Sequence, residues 1–350
     1  MTAVFRSAGA AALTAVNATR RGPGDAEAML FFALKGSDEL GDRVAQAGRF
    51  ARAPHEERAF DGGEHKSRPL VDVRGRDVFV LHSLNGDAHA SANDKLVRLL
   101  FFVATCREHG AARVTAIAPY LAYSRKDRQT KPNDPVTTRY VAAMFEAAGA
   151  DLVVTLDVHN LAAFQNAFRC QTLHLPTDRL FAEVIAARGS VRPVAIVSPD
   201  PGGVKRAQLA REALEQVTGG DVRFGLMEKR RSAGVVSGTH FAGDVDGCAV
   251  YILDDMICGG GTILRAAEAV RAHGAAEVHA VATHGLLTQD AVHGFGQGAL
   301  VDDITLTDSV AIHAETAAIL GHRLRVVSCA PMIAAAMRSL HDPRSVDRRQ

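Results

Sequence analysis

The sequence predicts an α/β protein made of mainly parallel β-sheets with helices on both faces. Short apolar segments of strand length alternate along the chain with segments whose apolar residues recur at helical spacing. The strand segments are apolar at nearly every position, as expected for strands that are buried on both faces of a parallel sheet. With 350 residues, the chain is long enough for two domains of this kind.

In the N-terminal half, the regular pattern begins at Met29. A short apolar strand, 29–34, is followed by a helix that opens at Asp38 with acidic residues in its first turn. Further strands are predicted at 77–83, 113–120 and 151–157, and further helices at 93–109 and 137–148. Asn93 is the expected N-cap of the helix at 93–109. Residues 1–28 are alanine-rich without the compact apolar core of a signal peptide, so we expect a disordered extension there.

The C-terminal half repeats the alternation. Strands are predicted at 193–198, 223–227, 250–253 and 277–284, and helices at 203–215 and 263–270, with a polar loop from 228 to 241. The expected organisation is a first domain at 29–176, a second at 177–325, and a C-terminal helix and tail at 326–350.

Composition excludes several functional classes. The chain is 47% hydrophobic and 23% charged, as is usual for soluble globular proteins, and its formal net charge of +1 gives no support for nucleic-acid binding. No apolar run is long enough to span a bilayer, so we expect a cytoplasmic protein with no membrane partner. The five cysteines are scattered and lack CxxC spacing, which argues against a disulfide framework and a structural zinc site.

The most informative stretch is 250–262. An apolar strand leads into Asp254 and Asp255, and three glycines, Gly259 to Gly261, then precede a helix. Glycine backbone N–H groups and the positive end of a helix suit a phosphate, whereas the carboxylates would repel one. The carboxylates fit sugar hydroxyls or a Mg²⁺ ion instead. The stretch therefore predicts a site for a phosphorylated sugar, with an ordinary glycine-rich turn as the alternative.

Polar clusters follow four other predicted strands, at the sheet edge where α/β proteins bind ligands. They lie at 119–129, 156–160, 198–207 and 228–231. In this order, with the stretch at 254–262 last, they resemble the ribose-phosphate pyrophosphokinases, also called phosphoribosyl diphosphate synthases. The resemblance runs from about Met29 to the C-terminal region. It implies two tandem type I phosphoribosyltransferase-like domains and self-association into dimers or hexamers.

The resemblance implies a reaction in which the β,γ-diphosphoryl group of ATP moves to the 1-hydroxyl of ribose 5-phosphate and AMP is released. Lys229 and Arg231 would be catalytic, in a mobile loop that closes over the site and neutralises charge on the transferring group. A solvated basic turn is the alternative for these two residues. His159 and Asp200 would bind Mg²⁺, although each is also an ordinary residue for a structural or turn position.

The resemblance also assigns the two substrates. Arg125 and Lys126 would bind ATP, with lysine standing where the family usually has glutamine. Phe60 and Glu64 would reach the adenine from a neighbouring subunit, with a turn at the start of a strand as the alternative. The residues implied for ribose 5-phosphate are Asp254, Asp255, Cys258, Gly259, Gly260, Gly261 and Thr262. Of these, Cys258 and Gly259 depart from the family, which often has an acid and a threonine there.

Three functions remain open at this point. The first is ATP-dependent synthesis of 5-phosphoribosyl 1-diphosphate. The second is a catalytically weak regulatory homologue that associates with a true synthase, which the changes at Cys258 and Gly259 favour. The third is an ordinary phosphoribosyltransferase, which needs one domain and has no use for the clusters around Arg125 and His159.

Overall fold

Two parallel sheets, each flanked by helices, form the body of the molecule. The computed structural model describes residues 29–232, 235–296 and 300–342, with backbone alone for 229–232 and 235–239. The predicted extension at 1–28 and the end of the predicted tail, 343–350, lie outside the described residues. The mixed α/β class and the mainly parallel sheets are confirmed.

The first sheet has five parallel strands in the order β1-β4-β5-β6-β7. These strands are β1 Met29–Ala33, β4 Asp77–Leu81, β5 Arg113–Ile117, β6 Leu152–Leu156 and β7 Gln171–Leu175. The helices of this part are α1 Asp38–Gly48, α2 Ala92–Glu108, α3 Thr137–Ala147 and α4 Leu161–Ala167. All but β7 and α4 were expected from sequence.

The second sheet has seven strands in the order β10-β9-β8-β11-β12-β13-β14, and only β10 runs antiparallel to its neighbour. Its strands are β8 Val194–Ser198, β9 Arg223–Ser232, β10 Val235–Gly243, β11 Ala249–Ile257, β12 Glu277–Gly285, β13 Asp303–Thr307 and β14 Leu324–Val327. Its helices are α5 Asp178–Arg188, α6 Val204–Thr218, α7 Gly261–Ala272, α8 Gln289–Gly296 and α9 Ala314–Leu320, and the short 3₁₀ turn Gly321–Arg323 follows α9.

The structure corrects three local expectations. The N-cap of α2 is Ser91 and not Asn93, because Ser91 and Asp94 form a reciprocal capping box that satisfies two free backbone N–H groups. Strand β11 does not end at the two acids but continues to Ile257, and its parallel pairing with β12 extends just as far.

The third correction concerns the predicted loop at 228–241. Strand β9 extends to Ser232 and the chain returns as β10, so this segment is an antiparallel strand pair. The β-branched residues Val235, Val236 and Thr239 favour extended backbone, and pairing satisfies backbone groups that an open loop leaves to water.

A separate hairpin, β2 His55–Ala59 and β3 His65–Pro69, was not predicted as strands. Both strands are rich in charged residues, so they lack the apolar alternation by which a strand is recognised. The segment 60–64 forms the turn of this hairpin, with the Phe60 N–H donating to the Glu64 carbonyl at 2.8 Å.

The C-terminal helix α10, Ala330–His341, returns to the first sheet. Its buried Ile333, Ala334 and Met337 pack in one core with Leu40 and Val44 of α1. The opposite face of the first sheet is covered by α2 and α3, while α5 to α8 cover the second sheet. Among the described residues, no helix combines the length and the apolarity that crossing a membrane requires.

Candidate active site

The carboxyl ends of strands from both sheets open into one cavity of about 1150 Å³. The first sheet contributes the segments after β5 and β6, and the second contributes those after β8 and β11. Ten residues predicted from sequence line this cavity: Arg125, His159, Asp200, Asp254, Asp255, Cys258, Gly259, Gly260, Gly261 and Thr262. The structure thus brings together residues that lie up to 137 positions apart in sequence, since Arg125 and Thr262 both line this cavity.

The glycine loop has the backbone that a phosphate cradle needs. Gly260 is the N-cap of α7 and has a φ of 73°, a left-handed conformation that favours glycine. A Cβ at this position would lie 3.1 Å from Phe295 and 3.3 Å from Ala291, so the space beneath the loop excludes a side chain. A Cβ at Gly259 would instead meet nothing within 4 Å, which leaves the cavity side open. The first N–H groups of α7 therefore face solvent-filled space beside the acids.

Asp254 and Asp255 are both largely buried and act as a coupled pair. Burial, together with the charge of Asp255, raises the pKa of Asp254 well above the usual range of an aspartate. Burial also opposes ionisation of Asp255, but a hydrogen bond with His159 and the charge of Arg206 outweigh it and lower the pKa of Asp255. Asp255 is thus the ionised acid of the pair. Asp254 is the protonated one, and a cation that binds nearby would favour the release of its proton.

Arg206 provides the positive charge at the centre of the site. It is on the first turn of α6, and its side chain is only 16% exposed. Its Nε donates to Asp157 Oδ1 at 3.2 Å, and its Nη1 lies 3.5 Å from Asp255 and 3.8 Å from Asp254. Arg206 therefore joins a residue at the end of β6, in the first sheet, to the acids of β11, in the second.

Asp157 is held in place from several directions. Thr177 and Thr283 both donate to its Oδ2, at 3.3 and 2.7 Å, and Arg206 binds the other oxygen. Its φ of 34° lies in the left-handed region, which is strained for a residue with a Cβ. This conformation turns the following segment, including His159, into the cavity.

His159 faces the acids across the boundary between the two sheets. Its Nδ1 is 3.0 Å from Asp255 Oδ2, and this hydrogen bond raises the pKa of His159 although partial burial opposes the rise. The other ring nitrogen is left for a ligand, and a histidine fixed by a carboxylate in this way is a common metal-binding arrangement. Asp200 accepts from the Gly203 N–H at 3.1 Å and lines the same cavity. Within the described residues, no three His, Cys, Asp or Glu side chains are grouped closely enough to hold a metal by themselves.

Three predicted ATP-binding residues lie away from the cavity lining. Lys126 donates to Asp134 at 2.7 Å and so ties together the two ends of its own loop. Phe60 and Glu64 lie in the turn between β2 and β3, where Arg58 stacks over the Phe60 ring at 4.9 Å. Phe60 is 40% exposed, so its ring is accessible at the surface of this chain.

The predicted catalytic residues Lys229 and Arg231 belong to β9, and their side chains lie outside the described part of the structure. In the backbone register, Lys229 pairs with Thr239 and Arg231 with Val236, with an irregularity between the two pairs.

The charged residues that line the cavity include an ion-paired group and several basic residues without a carboxylate partner in the part of the chain that the structure describes. Asp157, Asp254, Asp255, Arg206 and His159 form one hydrogen-bonded and ion-paired group. Four other basic residues line the cavity and have no carboxylate partner among the described residues: Arg125, Arg128, Lys205 and Arg265. Unpaired cations around a polar cavity favour a ligand with several negative charges, such as a polyphosphate.

Sequence reasoning did not identify Arg206 or Asp157 as site residues. Arg206 follows a glycine pair at the start of a polar helix, where an arginine is usually exposed. Asp157 comes at the end of an apolar strand, which was the available signal, but its contacts come from Thr177 and Thr283, far away in sequence.

Comparison with known proteins gives consistent matches along the chain. Residues 29–149 match a family model described as the N-terminal domain of ribose phosphate pyrophosphokinase, and residues 235–348 match one described as a phosphoribosyl synthetase-associated domain. A ribose-phosphate pyrophosphokinase of Hyphomonas neptunium is 34% identical over 315 residues, covering 88% of this chain and 95% of the relative. One of Vibrio parahaemolyticus is 33% identical over 325 residues, covering 91% and 98%. The crystal structure of phosphoribosylpyrophosphate synthetase from Mycobacterium smegmatis superposes with a TM-score of 0.79 at 31% identity, covering 89% of this chain and 98% of that one.

Proposed function

The chain belongs to the ribose-phosphate pyrophosphokinase family, and from this premise we propose how its cavity transfers the β,γ-diphosphoryl group of ATP to ribose 5-phosphate. The 1-hydroxyl oxygen of the sugar bonds to the β-phosphorus, and the bond from that phosphorus to the oxygen it shares with the α-phosphorus breaks. The products are 5-phosphoribosyl 1-diphosphate and AMP. The observation that carries the proposal is the single cavity that joins the glycine loop at the start of α7 to the unpaired cations around Arg125.

The glycine loop and the two acids bind ribose 5-phosphate. The N–H groups of Gly260, Gly261 and Thr262 hold the phosphate, since they are at a helix N-terminus with open space before them. Asp254 and Asp255, which lie on β11 just before the loop, accept hydrogen bonds from the sugar hydroxyls. Cys258 and Gly259 complete the lining without the acid and the hydroxyl that the family often has there.

Arg125 binds the triphosphate of ATP from the opposite wall, and Arg128 and Lys205 add charge around it. Lys126 acts indirectly, because its bond to Asp134 fixes the loop that carries Arg125. Lys229 and Arg231 neutralise the charge that spreads over the transferring diphosphoryl group. The strand pair β9–β10, rather than an open loop, is the element that carries them.

Mg²⁺ fits the donors of the site. His159, whose Nδ1 is engaged by Asp255, and Asp200 would hold it together with phosphate oxygens of the nucleotide, since Mg²⁺ usually takes one or two protein ligands and keeps several waters. When bound, it would supply positive charge to the phosphate oxygens.

Phe60 and Glu64 bind adenine in the cavity of a neighbouring chain. Both lie in the exposed β2–β3 turn and neither lines the cavity of its own chain, so a contact with adenine requires a second copy. The protein is then at least a dimer at micromolar concentration by light scattering. A fully active monomer would assign Phe60 a purely structural role.

The proposed reaction is tested by its product. Purified protein incubated with ATP, Mg²⁺ and ribose 5-phosphate is expected to form AMP and 5-phosphoribosyl 1-diphosphate in equal amounts, with no AMP when ribose 5-phosphate is omitted. Formation of ADP would indicate transfer of one phosphoryl group and contradict the proposal. AMP formation only after addition of a second synthase would instead support the regulatory homologue, which the present findings do not favour.

A further inference from the structure

Arg265 lines the cavity and has not yet been given a role. It is the fifth residue of α7, just over one turn after Gly261, and it lines the cavity. Side chains on a helix lean toward its N-terminus, so an arginine at this position can reach back over the first turn. It does so here: its Nη2 is 3.4 Å from Thr262 Oγ1, and a Cβ built on Gly261 would lie 3.3 Å from its Nη1.

This orientation is electrostatically unfavourable for the protein alone. The N-terminal end of a helix is positive, so a cation is repelled there. Arg265 has no ion pair among the described residues, and it does not turn to Glu268, which lies one turn further along the same helix. A guanidinium that lies over the positive end of a helix without a carboxylate is suited to an anion that would bind to both.

The glycine loop lacks one side-chain group that could bind a phosphate. Gly259 has no hydroxyl to offer a phosphate, and the space beside its Cα is open. A guanidinium forks to two phosphate oxygens at once, which a hydroxyl does not. Arg265 is therefore placed to replace a lost neutral hydrogen bond with a charged one.

We propose that Arg265 binds the 5-phosphate of ribose 5-phosphate and determines the affinity of the glycine loop for phosphorylated sugars. This inference rests on the proposed function, since it concerns the same substrate. Arg265 lies at the phosphate end of that substrate and not at its reacting hydroxyl, so its charge acts equally on the bound substrate and on the transition state. Its loss should then change KM and leave kcat nearly unchanged.

The test compares Arg265→Ala and Arg265→Lys with wild type and with Arg179→Ala. Arg179 is a matched control because it is an arginine in the first turn of α5, 81% exposed, paired with Glu183 and outside the cavity lining. Binding of ribose 5-phosphate to the full chain without ATP is measured by calorimetry, and KM and kcat are measured with ATP. Unphosphorylated ribose and inorganic phosphate serve as additional ligands.

Arg265→Ala is expected to weaken ribose 5-phosphate binding and raise its KM by about 10- to 100-fold, with kcat within about twofold of wild type. Arg265→Lys should lose less, Arg179→Ala should match wild type, and competition by inorganic phosphate should weaken in Arg265→Ala. Ribose 5-phosphate affinity within twofold of wild type in Arg265→Ala, or a fall in kcat without a change in KM, would overturn the inference. If the alanine variant fails to fold by circular dichroism, Arg265→Gln, which keeps most of the side chain without its charge, decides by the same measures.

The proposed reaction and the role of Arg265 in phosphate binding are contradicted by different results. Wild type that neither binds ribose 5-phosphate nor releases AMP would contradict the proposed function. Wild type that does both, while Arg265→Ala retains its affinity, would contradict only the assignment of Arg265.

Discussion

Replacing Arg206 tests the charge balance at the centre of the cavity. This guanidinium is 16% exposed and faces three carboxylates, those of Asp157, Asp255 and Asp254, at 3.2, 3.5 and 3.8 Å. Arg206→Ala leaves these acids without their cation in a largely buried place. Removing one partner of a buried ion pair costs about 3–5 kcal/mol, because the remaining charge stays desolvated and unpaired.

Two features of the structure set the size of the loss. Asp157 keeps its hydrogen bonds from Thr177 and Thr283, and Asp254, whose pKa is raised by burial and by Asp255, already holds a proton and carries no charge to compensate. Both reduce the penalty, so we expect about 3 kcal/mol, which for a chain of this size is a fall in Tm of about 4 °C. We expect Mg²⁺ to be attracted to the uncompensated charge of Asp157 and Asp255, so adding it should recover part of the loss in Arg206→Ala by mass action.

The assay is thermal unfolding followed by circular dichroism, in EDTA and then in millimolar Mg²⁺. Arg211→Ala is the control, since Arg211 lies on the same helix but forms its ion pair with Glu215 at 3.8 Å, both side chains being about one third exposed, and otherwise lies over the Phe224 ring at 5.9 Å. That pair is worth about 0–1 kcal/mol. Equal Tm values for Arg206→Ala and Arg211→Ala in EDTA would refute the reasoning, because they would show that the three acids need no internal cation.

Three further predictions follow from the site. Lys229→Ala is expected to lower kcat by about 100-fold or more with a smaller change in KM, because its charge acts mainly in the transition state, and an unchanged kcat would remove it from the mechanism. The double variant His159→Ala, Asp200→Ala should bind Mg-ATP more weakly by calorimetry with an unchanged circular dichroism spectrum, and wild-type affinity would show that the metal lies elsewhere. Burial and the neighbouring acid raise the pKa of Asp254 above its value in the unfolded chain, which is about 4. The folded state is therefore favoured by neutral Asp254 at low pH, and this stabilisation is lost as pH rises from about 4 through the raised pKa. Asp254→Asn should therefore raise Tm in EDTA by an amount that grows with pH, and a pH-independent difference would contradict the raised pKa.

The sequence was most informative where local pattern and burial coincide. Strand β11, the glycines before α7 and the segment with His159 could be recognised because apolar strands end in polar or glycine residues at the sheet edge where ligands bind. Hairpin β2–β3 was not recognised because charged strands such as β3, with Lys66 and Arg68, carry no periodic apolar signal. The β9–β10 pair was missed for a related reason, since the basic residues at the end of β9 suggested a loop.

Site residues were predictable when their chemistry is local and unpredictable when it depends on distant partners. Lys126, predicted to bind ATP beside Arg125, donates to Asp134 eight residues away, and its role toward the nucleotide stays a prediction. Arg206 owes its role to burial against Asp157 and Asp255, 49 positions before and after it, and no local feature of α6 reveals that burial. Arg265 is similar, since an arginine at that helical position is usually exposed, and only the structure shows its side chain reaching back over the glycine loop.

The return of helix α10 to the first sheet affects how the protein is made. Residues 330–341 are synthesised after all the strands of both sheets, yet they cover part of the apolar face that Phe31 and Phe79 belong to. All five strands of the first sheet have been synthesised by about residue 175. Helix α10 follows only after the entire second sheet has been synthesised. The nascent chain therefore presents an uncovered apolar face for the time it takes to add more than 150 residues, on the order of 10–30 seconds. Until its own C-terminal helix arrives, α1 is the only described helix that covers that face, and the exposed remainder is the part of the chain that we expect to be most prone to aggregation during synthesis.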